Sequence, residues 1–449
     1  MNKNKVTVLL ISAVVIAAAV WYALTQRPGV NGDKKSVDYT LGAPTASATP
    51  AAPTVCDASA AWVSNPQNPP TEIPLGANAQ ICQFHQFSWQ WFISLMNLAG
   101  DSRVFQNEQN YPLLQEKGVN SCTTTGTKTR LFVRTQKDDD NPNDDFTLPE
   151  RIGQALGDAA IYDQNGNVVF YEVRFSRDQC SLDQSTAQMF PPGTTEIKVS
   201  YRVITPADKP NYVWINADIN GDGTVGTEEL LGMVGFHLVK STALHSEFVW
   251  ATFEHKQNVP DCQATPASNA PVWSFTSAAC ATQLPNSVDP TTCNFNIASP
   301  GTGISGEPPT QICRVYHDGS RPGDDKFDIN VANIDSLNTQ LVGVNGFITA
   351  LPDSNPLAVL KNYMLVGALW ENDVTQPSSN LANQRGSIQL ANTTMETTAQ
   401  MAPKFVPIPY TGTSNLQSAK NCFGCHNYTP NNNVALSHTF PLIQGNPPK

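Results

Sequence analysis

The sequence predicts a mainly β fold with some helices, an antiparallel sandwich-like core followed by a short C-terminal segment with its own chemistry. Three observations predict it. Short runs rich in β-branched and aromatic residues recur through the first half of the chain, with turn residues between them. One stretch alone carries a long helical period. Near the C-terminus, Cys422-Phe423-Gly424-Cys425-His426 reads C-x-x-C-H, the attachment sequence for c-type haem.

The helix is predicted over 79–99. Ile81, Phe84, Phe87, Trp91, Leu95 and Leu98 recur at spacings of three and four, and Gly100 follows as a C-cap. Strands are predicted at 130–134, 160–162, 168–175, 196–204, 212–217, 233–240 and 247–255. Asn165-Gly166 between the second and third of these is a strong hairpin turn. Regular turns between strands point to a sandwich-like core that helices decorate.

The termini set the compartment. Lys3 and Lys5 precede an apolar run over 6–24 without a charge. That run is longer than a signal-peptide core and close to the ~20 residues that cross a bilayer. Trp21, Tyr22 and Leu24 stand where a small-residue cleavage site belongs. The reading is a signal anchor over 1–28 with its N-terminus in the cytoplasm, on the side of the lysines. A long cleaved signal is the alternative, and both export the body. Residues 29–55, rich in Ala, Thr and Pro, read as a flexible linker. A β-rich body over 56–410 and a haem-binding segment over 411–449 follow. The expected location is the bacterial inner membrane with the body facing the periplasm, or the periplasm itself if the signal is cleaved.

Charge and cysteine count agree with export. Removing the first 28 residues leaves 24 basic against 38 acidic side chains, so the exported part carries about −14. Such a charge excludes nucleic acid as a natural partner. Eight cysteines remain beside the C-x-x-C pair, an even number that suggests disulfides in an exported chain. Their pairing does not follow from the sequence. The simplest assumption joins neighbours, 262 with 280 and 293 with 313. The acidic run over 138–145 reads as a solvated loop, or as a docking patch for a basic redox partner. Nothing resembles a phosphate loop, a Ser-His-Asp elbow or a zinc helix.

The C-x-x-C-H spacing has a chemical reason. Two thiols two residues apart can each add to a vinyl group of one porphyrin, and His426 then reaches the iron. With 10 Cys and 7 His in 449 residues, a chance match arises roughly 0.003 times per chain. Only 23 residues follow His426, too few to enclose a haem, so the body must supply much of the pocket. For the sixth iron position His438 leads, because 12 residues can wrap a porphyrin edge and return. Met395 and Met401 are alternatives, as are His237, His245 and His255, or an open position.

A second metal motif runs from Asp218 to Glu229 and matches the EF-hand loop pattern. Asp218, Asn220 and Asp222 would offer side-chain oxygens, Thr224 its carbonyl and Glu229 a bidentate carboxylate to Ca²⁺. The predicted strands on either side make it a loop within a hairpin. An acidic Gly-rich turn that binds nothing is the alternative.

Several blocks resemble a family of exported bacterial proteins known only as cytochrome c family proteins. They include Phe87-Ser-Trp-Gln-Trp-Phe-Ile-Ser-Leu95, Tyr171-Glu-Val-Arg174, Val234-Gly-Phe-His237, Trp250-Ala-Thr-Phe-Glu-His255, the stretch 421–426, and Leu436-Ser-His438. The resemblance implies that His438 and His255 lie near the haem. It brings no activity with it. The expected function is one-electron transfer by a monohaem c-type cytochrome, with periplasmic or membrane redox partners. The alternatives are a haem peroxidase or oxidase with an open distal position, using His255 and Glu254 as acid–base groups, and a haem-based redox or gas sensor.

Overall fold

Strands, several of which alternate apolar and polar residues, pair into one eight-stranded antiparallel sheet in the computed structural model. The structure describes residues 56–444 apart from 74–80, 116–118, 124–131, 134–159, 221–223, 228, 267–271, 286, 298, 300, 316–326, 398–421 and 427. The predicted anchor (1–28), the linker (29–55), the acidic run, Asp222 and Met401 therefore lie outside the described residues. No helix among the described residues is long and apolar enough to cross a membrane.

The strands are β1 (Phe132–Val133), β2 (Phe170–Phe175), β3 (Thr195–Ile204), β4 (Trp214–Asn216), β5 (Leu230–Lys240), β6 (Val249–His255), β7 (Tyr363–Glu371) and β8 (Gln384–Gly386). Their order is β8-β7-β6-β5-β3-β2-β1. The long β5 pairs with β3 along its length, with β6 over Gly235–Lys240 and with β4 over Leu230–Gly232. Most of the fold is thus mainly β, as the alternation predicted. Among the described residues no second sheet forms the other layer of the expected sandwich. Two helices, α1 (Ile81–Met96) and α2 (Phe327–Val342), cover one face, and irregular segments cover the other.

The two faces follow from strand parity, which shifts at Val234, where the register of β5 slips against Ser200 and Tyr201. Ile197, Val199, Phe236, Leu238 and Phe253 join the helix-side core. Phe92 of α1 stacks on Phe253 with ring centroids 3.9 Å apart, and Phe84 stacks on Trp370 at the same distance. Val173, Val234, Trp250 and Leu369 join the second core, with Met395, Phe423, Leu436 and Phe440 packed over them. Residues buried on both faces, as throughout β6, blur the simple alternation.

Several expectations are corrected. The helix ends at Met96, and Gly100 is not its cap. With φ of 71°, Gly100 turns a two-residue ribbon pairing Leu98–Ala99 with Ser102–Arg103. The 165–166 turn forms, with Asp163 Oδ1 accepting from the amides of Asn165 at 2.9 Å and Asn167 at 3.0 Å. Gly166 is required there. Its φ is 78°, and a Cβ would meet Glu307 O at 2.5 Å. Residues 160–162 contribute only isolated bridges.

The assumed disulfide pairing is also wrong. Cys262 joins Cys313, and Cys280 joins Cys293 inside that loop. The cause is a parallel bridge between Asp261 and Arg314, where the Cys262 amide donates to Arg314 O at 2.8 Å. Cys56–Cys82 and Cys122–Cys180 complete four bridges. Loop-closure entropy gives each about 3–4 kcal/mol.

Candidate functional site

The C-x-x-C-H residues dock on the second face of the sheet. Cys422–Cys425 form one helical turn, α3, and the His426 amide donates to Cys422 O at 2.8 Å. Phe423 is buried edge-on against Trp250, with centroids 5.9 Å apart. The Trp250 ring also lies 4.5 Å from the His426 ring. Trp250 is itself held, since its Nε1–H donates to Glu247 O at 3.0 Å.

His426 is set in one tautomer. Its Nδ1 lies 2.5 Å from Leu436 O. A carbonyl only accepts, so Nδ1 carries the proton. Burial, then the neighbouring His438, hold the ring's pKa down at about 3. The imidazole is therefore neutral and keeps its lone pair on Nε2, the state a metal ligand needs.

The chain after His426 is stitched to the body. The Val434 amide donates to Gln188 O at 3.2 Å. Asn433 accepts from the Phe190 amide at 2.6 Å and donates to Ser246 O at 3.0 Å. The Ser437 hydroxyl donates to the carboxyl of Glu196 on β3. Burial pushes that carboxyl up to about 7, against the lowering effect of this bond. These anchors place His438, which is exposed, with its ring 4.1 Å from the His426 ring and nearly parallel to it. Two residues chosen from the sequence as a ligand pair are thus in contact.

The other candidates separate. Met395 is buried in the apolar cluster that holds Trp250, Phe423 and Leu436. His237 faces the same side, but Glu396 engages its Nε2 at 2.9 and 3.0 Å. His245 bonds Glu247 through Nδ1 at 2.9 Å. His255, expected near the haem from the family resemblance, is not there. It lies five residues along β6 from Trp250, about 16 Å at the rise of a strand. There it stacks on Tyr212 at 4.3 Å, and its Nε2 meets Asn211 O at 3.1 Å. Burial lowers its pKa to about 4. Glu254 is tied to Arg314 at 2.8 Å and accepts from the Thr393 amide at 2.6 Å and its hydroxyl at 2.7 Å. Both residues named for acid–base work are thus occupied by structural partners.

The residue types gathered here are those that would hold a haem. Phe423, Trp250, Met395 and Leu436 supply apolar packing, and His426 offers a neutral Nε2. The four disulfides just described engage the other eight cysteines of the chain. Lys198 lowers the His426 pKa and Glu396 raises it, so both charges act on this site. Sequence reasoning missed Trp250, Glu196, Lys198 and Glu396 as parts of it. The signal was present in the charged residues at alternate positions of β3.

The second metal motif is a hairpin loop between β4 and β5, as predicted. Glu229 turns inward, accepting from the Gly226 amide at 2.5 Å and from those of Ile219 at 3.3 Å and Asn220 at 3.4 Å. Among the described residues no three His, Cys, Asp or Glu side chains group as a metal site.

No family model matches the chain, and neither a curated protein nor a solved structure matches it. The resemblance to exported cytochrome c family proteins rests on its sequence blocks alone.

Proposed function

We propose that the chain is an exported monohaem c-type cytochrome that passes single electrons. Cys422 and Cys425 would hold the porphyrin, and His426 the iron. A haem bound there would supply a one-electron iron couple. The observation that carries the reading is the Leu436 carbonyl on His426 Nδ1 at 2.5 Å. It orients the ring and leaves Nε2 to coordinate, in a motif whose two cysteines precede that histidine. The nearness of His438, with its ring 4.1 Å from that of His426, makes it the residue that would take a second axial position, which favours transfer over catalysis.

The spectrum of the holoprotein tests this. Wild type is expected to be low-spin and to bind carbon monoxide poorly. His438→Ala is expected to become largely high-spin and to bind carbon monoxide. A wild type that is already high-spin and takes up carbon monoxide readily would sink the electron-transfer reading. The full-length chain is expected in the inner-membrane fraction with its first residues intact. A soluble product starting near residue 25 would show a cleaved signal instead.

The 218–229 loop would bind Ca²⁺ as a structural ion. Calcium at 100 times its dissociation constant is then expected to stabilise the fold by about 2.7 kcal/mol. Glu229→Ala is expected to remove most of that gain. Equal melting temperatures in calcium and in chelator would leave the loop an acidic turn.

A further inference from the structure

The loop between β5 and β6 buries two groups that the site above does not use. His245 and Glu247 are 1 % and 0 % exposed, and Glu371 at the end of β7, also 0 % exposed, joins them. His245 Nδ1 and Glu247 Oε1 lie 2.9 Å apart, a hydrogen bond whichever group holds the proton. Asn383 Nδ2 donates to Glu371 Oε2 at 3.3 Å. Three further buried atoms of the cluster make no hydrogen bond among the described residues: His245 Nε2, Glu247 Oε2 and Glu371 Oε1. Two buried carboxyl groups beside each other cannot both ionise cheaply, and orphaned oxygens are where a proton is held.

The cluster is wired to the candidate haem site. The Glu247 carbonyl accepts from the Trp250 indole at 3.0 Å, and that indole lies 4.5 Å from His426. Between His245 and Glu247, the Ser246 hydroxyl meets the Tyr428 hydroxyl at 3.2 Å, and the Ser246 carbonyl accepts from Asn433 at 3.0 Å. So the loop that carries the acid pair grips the haem segment at two points after His426, Tyr428 and Asn433. A charge change at the iron would be felt through this dry interior with little screening.

We propose that His245, Glu247 and Glu371 form a proton-binding site coupled to the haem electron, a role that rests on the haem reading above. Were a one-electron donor to reduce a haem iron held by His426, the cluster would take one proton from solvent onto a carboxylate. On oxidation the electron leaves to the acceptor and the proton returns. Net charge in the interior is unchanged across the cycle.

The electrostatics agree in sign. Burial first, then the Glu247 charge, raise the Glu371 carboxyl to about 8, and Asp373 adds to this. Burial also raises Glu247, while His245 lowers it. Other titratable groups around the cluster are Tyr428 from the haem segment, His85 of α1, whose ring lies 5.7 Å from Trp370, and Glu72, whose carboxylate accepts from the Thr242 hydroxyl and, at 2.9 Å, from the Leu244 amide of the same loop. His85 is held down to about 4 by burial and so carries no charge near neutrality.

The test is the midpoint potential of the purified holoprotein from pH 6 to 10, with a reduced-minus-oxidised infrared spectrum. The potential is expected to fall as pH rises through about 7–9, by up to about 59 mV per tenfold change in proton concentration. Glu371→Gln is expected to flatten that slope. The infrared difference is expected to show the carbonyl stretch of a protonated carboxyl gained on reduction in wild type. A haem-loaded wild type with a pH-independent potential and no carboxyl band overturns the coupling alone. A slope that survives in both Glu371→Gln and Glu247→Gln also overturns it. A chain that carries no covalent haem overturns the haem reading and the coupling with it. Wild-type infrared needs no variant to fold.

Discussion

Replacing Cys422 and Cys425 together by Ala is expected to abolish haem staining on a denaturing gel, from one haem per wild-type chain to none. The effect is all-or-none because the thioether links are the only bonds that survive denaturant. His426 alone would hold haem non-covalently, and detergent would strip it. The fold should survive the change, since the four disulfides use the other eight cysteines. Circular dichroism checks that point beside the stain. Persistent staining in the double variant would refute attachment at this motif.

Arg314→Met is expected to destabilise the body by about 3–5 kcal/mol, the usual cost of breaking a buried ion pair from one side. Arg314 is 5 % exposed and bridges Glu254 and Asp261, each at 2.8 Å. Its removal leaves Glu254, which is fully buried, without its cation. Glu254 also holds the Thr393 backbone, and the segment 392–396 follows on to His237 through Glu396. Thermal or urea unfolding measures the loss. Glu254→Gln, measured in the same way, separates two roles for Glu254. As a structural anchor its loss lowers stability while the haem spectrum of the folded fraction stays the same. A changed spectrum at unchanged stability would return Glu254 to the acid–base role.

How much was legible in the sequence depends on the range of the interaction involved. The C-x-x-C-H motif, the 165–166 turn and the positions of five central strands were local patterns, set by covalent spacing and by side-chain alternation. β7 and α2 were missed. β7 is buried at nearly every position, so it shows no alternation, and α2 mixes polar and apolar residues with a weak period.

What the sequence determined by itself was chemistry carried within a few residues: a paired thiol, an adjacent imidazole, an acidic loop and a mainly β chain. What only the tertiary structure decided was partnership across long separations. Leu436 O chooses the tautomer of His426, Trp250 backs its ring, and Ser437 meets Glu196 from 241 residues away. The nested disulfides and the removal of His255 and Glu254 from the site are decisions of the same kind. The physical reason is that hydrogen bonds and burial belong to pairs of residues, and the pairing is fixed by the register of a sheet rather than by distance along the chain.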